Sequence, residues 1–126
     1  MSVARPGGDG LSGLPRLWRA SKVGLAAFAW AWKHEEALRL EMIACTLAVP
    51  AAWWLGETGV ERALLWGSVL LVFIVELLNT AVEVTVDRIS TEHHPLSGLA
   101  KDLGSLAVGV SVVLALGIWA FVILGR

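Results

Sequence analysis

The sequence predicts an all-α integral membrane protein, with three transmembrane helices and an N-terminal amphipathic helix. Of its 126 residues 56% are apolar and only 17% are charged, whereas about a quarter are charged in a typical soluble domain. The net charge of −1 offers no basic surface for nucleic acid. A single cysteine without Cys/His spacing excludes a zinc framework. We expect one membrane domain over 14–126, preceded by a disordered stretch at 1–13.

The first predicted element is an amphipathic helix at about 14–33. Its apolar residues recur at spacings of 3, 4 and 7 and share one helical face, with basic residues off that face. A basic amphipathic helix is expected to lie in the membrane interface. The alternative is a helix packed into a soluble core. The residues of the face are Leu14, Leu17, Trp18, Leu25, Phe28 and Trp32.

Three apolar stretches follow, and they predict spans at about 37–55, 63–86 and 103–124. Each is close to the roughly 20 helical residues that cross a hydrocarbon core. A turn at 56–62 and a polar loop at 87–102 are expected to connect them. Basic residues concentrate before the first span and recur in the polar loop, which places the N-terminus in the cytoplasm and the C-terminus outside.

The second span carries an unusual polar stripe. At 100° per residue, Glu76, Asn79, Glu83 and Asp87 fall on one face over three helical turns. Because a carboxylate at membrane depth costs several kcal/mol, this stripe indicates a functional site. The alternative is a polar seam that joins helices by hydrogen bonds.

Other charged residues flank the spans on the predicted cytoplasmic side. Glu35 and Arg39 are either a solvated pair one helical turn apart or, if Glu35 meets Glu83, part of a site for Mg²⁺. Lys101 and Asp102 suit a phosphate-bearing ligand, although Lys101 alone is also typical of an interfacial anchor. Familiar nucleotide-binding and kinase motifs are absent.

Three segments resemble the prokaryotic diacylglycerol kinase family. They are IVELLNTAVEVTVDR (74–88), which contains the family's acidic-amide-acidic signature, EHHPLSGLAKDLGSLAV (92–108) and WKHEEALRLE (32–41). The long basic N-terminal helix is similar to that of the Gram-negative members. The resemblance implies a homotrimer in the bacterial inner membrane, with its C-terminus in the periplasm. It also implies transfer of the ATP γ-phosphoryl group to diacylglycerol, with Mg²⁺, to give phosphatidic acid.

The resemblance also assigns roles to residues. It implies Glu76 as general base, supported by Asn79, and it implies Glu35 and Glu83 as metal ligands. It implies ATP binding by Arg16, Val23, Glu35, Glu83, Glu92, His93, His94, Lys101 and Asp102, and lipid binding by Arg16, Glu76 and Ser105. Asp87 is expected to be structural and to pair with Arg88 or Lys101.

The chain departs from the family pattern at three positions. Val23 stands where enterobacterial members have Tyr, Leu25 replaces an aromatic residue and Leu99 a basic one. We expect these differences to change the affinity for the nucleotide more than the phosphoryl transfer itself. Two other functions stay open: an undecaprenol kinase of the same family, and a small proton- or ion-conducting oligomer whose membrane carboxylates titrate.

Overall fold

The computed structural model describes residues 12–126. Every regular element in this part is an α-helix: α1 (Leu14–His34), α2 (Glu36–Leu55), α3 (Gly59–Ile89) and α4 (Pro95–Leu124). Of the stretch predicted to be disordered, residues 1–11 lie outside the described residues. The chain divides into two compact units, one that ends at Glu36 and one that comprises Ala37–Arg126. The all-helical prediction is confirmed, and the single domain over 14–126 stays a prediction.

In the first unit, α1 matches the predicted helix to within one residue. It begins after Gly13, whose φ of 69° favours glycine, and it ends where Glu35 becomes extended. Lys33 and His34 lie in its last turn, where positive charge complements the helix dipole. The Lys22 ammonium lies 5.4 Å from the centroid of the Trp18 ring, so this basic side chain runs along the helix surface.

In the second unit, all three helices are long and apolar enough to cross a membrane. With 31 residues, α3 extends for about 46 Å, well beyond a hydrocarbon core of about 30 Å. With 30 residues, α4 is also longer than the hydrocarbon core is thick. The three predicted spans are confirmed as helical segments, and each of these two helices continues past its apolar part.

Both predicted connections are too long. The 56–62 turn shrinks to 56–58, because Thr58 caps α3 by accepting a hydrogen bond from the backbone N–H of Glu61 at 3.1 Å. The 87–102 loop shrinks to 90–94, because α3 continues to Ile89 and α4 begins at Pro95. Polar composition marks where a helix leaves apolar surroundings, whereas capping groups decide where it stops.

The main packing within the second unit is between α3 and α4. The indole N–H of Trp119 on α4 donates to the Ser68 hydroxyl at 3.1 Å and to the Leu65 carbonyl at 3.3 Å. Leu65 is fully buried and Ser68 is 5% exposed. These polar contacts hold α3 and α4 together. In a membrane the hydrophobic effect would not do so, because lipid covers an apolar helix surface as well as another helix does.

The turn between α2 and α3 is held by Arg62. Its Nε donates to the carbonyls of Trp53 and Gly56, each at 3.1 Å, and its guanidinium carbon lies 4.6 Å from the Trp53 ring centroid. A Cβ at Gly56 would come within 2.5 Å of the Arg62 Cγ, so this position requires glycine. Arg126 pairs with Glu57 at 3.1 Å and Glu61 at 3.3 Å and so ties the C-terminus to the same end.

Candidate active site

The polar stripe lies along one face of α3 and changes from buried to exposed. Glu76 is 5% exposed and Asn79 is 9% exposed. Glu83, one turn further, is half-buried, and Asp87 is exposed. Thr80, also buried, adds a hydroxyl beside Asn79 that the sequence reasoning missed. The stripe therefore runs from a buried carboxylate to an exposed one.

Asn79 connects the stripe to α4. Its Nδ2 donates to Glu83 Oε1 at 3.4 Å. Its Oδ1 is buried and accepts no hydrogen bond within the part of the chain that the structure describes. This oxygen occupies space that only a glycine at position 104 leaves open, because a Cβ there would lie 2.1 Å from it. Gly104 was not predicted from the sequence, although a glycine inside a helix is itself a signal of close approach.

Lys101 and Asp87 join the two helices at the exposed end of the stripe. The Lys101 Nζ donates to Asp87 Oδ1 at 2.7 Å, and the two side chains are 42% and 52% exposed. This pairing confirms one of the two partners predicted for Asp87. The hydrogen bond to Asp87 raises the pKa of Lys101, which lies outside the apolar span 103–124, and the negative charge of Glu83 acts in the same direction. The Lys101 ammonium is therefore held against the Asp87 carboxylate, one helical turn along α3 from Glu83.

The connection between α3 and α4 is short and exposed. Its last residue, His94, caps α4: the ring Nδ1 accepts from the backbone N–H of Leu96 at 3.1 Å, which leaves Nε2 for other partners. The backbone N–H of Glu92 donates to the Ser90 hydroxyl at 3.0 Å. His93, like Glu92 and His94, is exposed. Three of the predicted nucleotide-binding residues thus lie next to one another on a connection with defined geometry.

The remaining predicted residues lie on α4 and in the first unit. Asp102 and Ser105 are exposed on α4, near Lys101 in the chain. Arg16, Val23 and Glu35 belong to the first unit. The first two are exposed on α1, whereas Glu35 is half-buried and its backbone N–H donates to the Ala31 carbonyl at 2.8 Å. A site shared by Glu35 and Glu83 stays a prediction.

The carboxylates suit a hard divalent cation. Within residues 12–126 no three His, Cys, Asp or Glu side chains converge on one point. A protein site for Mg²⁺ needs only one or two carboxylates, because phosphate and water oxygens complete the octahedron. Glu83 offers such a carboxylate, half-buried, with one oxygen fixed by the Asn79 amide. The donor set therefore fits Mg²⁺ held together with a phosphate ligand.

The chain is similar to known proteins along most of its length. Residues 22–123 match the family described as prokaryotic diacylglycerol kinase. The diacylglycerol kinase of Escherichia coli K12 is 43% identical over 112 residues, which cover 89% of this chain and 92% of that protein. That of Pseudomonas aeruginosa is 43% identical, with 92% and 94% covered. That of Haemophilus influenzae is 44% identical, with 86% and 92% covered.

Replacing Asp87 tests the ion pair with Lys101. Asp87→Asn should lower the midpoint temperature of thermal unfolding only slightly, because both side chains are half-exposed. The hydrogen bond to Asp87 raises the pKa of Lys101, so the contribution of this pair to stability is complete below the ordinary lysine pKa of about 10.4 and is lost as the pH rises through the raised pKa. Thermal unfolding in detergent at neutral and alkaline pH measures this difference.

The control is Glu36→Gln, an exposed carboxylate in the first turn of α2. Any loss of activity in Asp87→Asn should parallel the loss of folded protein. An inactive variant with unchanged thermal stability would contradict a structural role for Asp87.

Proposed function

Because the chain belongs to the prokaryotic diacylglycerol kinase family, we propose that it is a membrane lipid kinase that transfers the γ-phosphoryl group of ATP to the hydroxyl of diacylglycerol. The observation that carries this proposal is the arrangement at the exposed end of the stripe. There a half-buried carboxylate, Glu83, accepts a hydrogen bond from Asn79 and lies one helical turn along α3 from Asp87, the partner of Lys101. Such a group is suited to a phosphate and its cation at the surface of an apolar helix pair.

The reaction needs positioning and charge neutralisation more than covalent chemistry. Lys101, held in place by its hydrogen bond to Asp87, supplies a positive charge for the phosphates. Glu83, together with Glu35 of the first unit, is proposed to hold Mg²⁺, which when bound neutralises phosphate oxygens. The two carboxylates match the donor chemistry that this ion prefers.

Glu76 is proposed as the general base. It lies two helical turns from Glu83 along α3 and is almost fully buried, which supports contact with a lipid hydroxyl rather than with the aqueous nucleotide. A carboxylate oxygen of Glu76 takes the hydroxyl proton as the lipid oxygen bonds to the γ-phosphorus. The bond from that phosphorus to the bridging oxygen breaks, and ADP leaves. The product is phosphatidic acid.

The nucleotide is proposed to lie along the short connection and α1. Glu92, His93, His94 and Asp102 are exposed and available to it. From the first unit, Arg16 is proposed to contact nucleotide and lipid, and Ser105 on α4 to contact lipid. Val23 has no hydroxyl or ring, so contact with adenine or ribose at this position is restricted to apolar packing.

We also propose the setting in which the enzyme works. Family membership supports a homotrimer in the bacterial inner membrane. The basic face of α1 supports an interfacial position for this helix. The distribution of basic residues supports a cytoplasmic N-terminus and a periplasmic C-terminus. This orientation places the connection at 90–94 in the compartment that contains ATP.

The acceptor assay tests the function directly. The purified protein in mixed micelles, given labelled ATP, should phosphorylate diacylglycerol in clear preference to undecaprenol. The reverse preference would identify an undecaprenol kinase. Absence of any lipid phosphorylation, together with proton flux in liposomes, would identify an ion-conducting oligomer.

Replacing Glu76 tests the base. Glu76→Gln should abolish turnover, because the amide cannot accept the hydroxyl proton, while the protein still assembles and binds MgATP. Turnover is measured by labelled phosphate transfer, assembly by size-exclusion chromatography with light scattering, and binding by calorimetry. Near wild-type turnover in this variant would overturn the assignment.

Replacing the metal-binding carboxylates tests their shared role. Glu83→Ala and Glu35→Ala should each raise the Mg²⁺ concentration for half-maximal activity by at least about tenfold. Glu36→Ala is the matched control, since it removes an exposed carboxylate next to Glu35. If both variants kept the wild-type Mg²⁺ dependence, the shared metal site would be wrong.

A further inference from the structure

Gly104 lies where α4 comes closest to the polar stripe of α3. A Cβ at this position would stand 2.1 Å from Asn79 Oδ1 and 3.2 Å from Asn79 Cγ. Distances this short are not tolerated between non-bonded atoms, and the atoms concerned belong to a buried side chain. The Asn79 amide therefore fills the space that the missing side chain of Gly104 provides.

The amide in this space has only one useful orientation. Its Oδ1 is turned toward Gly104, and its Nδ2 donates to Glu83 Oε1 at 3.4 Å. With the amide reversed, its oxygen would face the carboxylate oxygen, and two acceptors would oppose each other. The hydrogen bond thus depends on α4 leaving room for the oxygen.

We propose that Gly104 is a positioning residue, which acts through the Asn79 amide to orient the Glu83 carboxylate toward the divalent cation. The inference rests on the proposed function, because it takes Glu83 as a metal ligand. Hydrogen-bond partners of ligating carboxylates fix the ligand orientation and typically affect metal affinity by about 10- to 100-fold. Gly104 sets this partner in place without touching substrate or metal.

The other glycines of α4 provide matched controls. Added Cβ atoms at Gly98, Gly109 and Gly117 would meet nothing within 4 Å. Gly109 lies on the same helix, one residue more than a turn from Gly104, and outside the proposed site. Gly109→Ala should fold at least as well as wild type, because alanine loses less conformational freedom than glycine when a helix forms.

The test measures Mn²⁺ binding to the full-length protein in detergent, with a non-hydrolysable ATP analogue, by electron paramagnetic resonance. Gly104→Ala should weaken Mn²⁺ binding by about tenfold, while Gly109→Ala should bind as wild type. Thermal unfolding is recorded for both variants. Wild-type Mn²⁺ affinity in folded Gly104→Ala would overturn the proposal.

A double-mutant cycle separates positioning from general damage to the fold. Asn79→Ala should weaken Mn²⁺ binding to a similar extent, and adding Gly104→Ala to it should cause no further loss, because the clashing amide is gone. If Gly104→Ala does not fold alone, the double variant should regain folding and bind Mn²⁺ as Asn79→Ala does. Additive losses, or no effect of Asn79→Ala, would overturn the proposal.

The failure of the proposed function gives a different result. A wild-type protein that binds Mn²⁺ with this dependence on Gly104 but phosphorylates no lipid would remove the kinase assignment and keep the positioning role. If Glu83→Ala leaves Mn²⁺ binding unchanged, Glu83 is not a ligand, and the positioning role is refuted whatever the activity.

Discussion

The buried carboxylate of Glu76, on one face of the apolar helix α3, is the constraint on which the other features of the second unit depend. An ionisable group at this depth costs several kcal/mol unless it faces protein or water. The face of α3 that carries it must therefore turn toward neighbouring helices. The same face carries Leu65, Ser68 and Asn79, all of them buried. The face that carries the Glu76 carboxylate is therefore also the main packing surface of α3.

The packing of α3 on α4 is made specific by polar contacts at several levels. Trp119 donates to Ser68 toward one end, Asn79 fits against Gly104 in the middle, and Lys101 pairs with Asp87 at the other end. Apolar contacts alone distinguish poorly between helix and lipid in a membrane, whereas each of these contacts requires a particular register. The register that joins the helices also brings Lys101 to Asp87, one helical turn along α3 from Glu83. The contacts that fix the packing of α3 on α4 are therefore also those that position the residues proposed for the reaction.

Most of the architecture was predictable from residue patterns. Length and apolar content locate three spans, because roughly 20 apolar residues are what a helix needs to cross a bilayer. The stripe from Glu76 to Asp87 was predictable from helical periodicity. The end of α3 and the start of α4 were not, because polar composition favours a loop at Asp87 and Arg88 although both are helical. Caps at Thr58 and His94 set the starts of these two helices.

The sequence by itself determined the helices, the face of α3 that carries the carboxylates and the family to which the chain belongs, because these depend on local periodicity and on order along the chain. Only the tertiary structure decided that Asp87 pairs with Lys101 rather than Arg88, and that the Asn79 amide lies against Gly104. These pairings depend on the register of α3 against α4. Register is set by contacts between residues 14, 25 and 51 positions apart, which no single helical pattern contains.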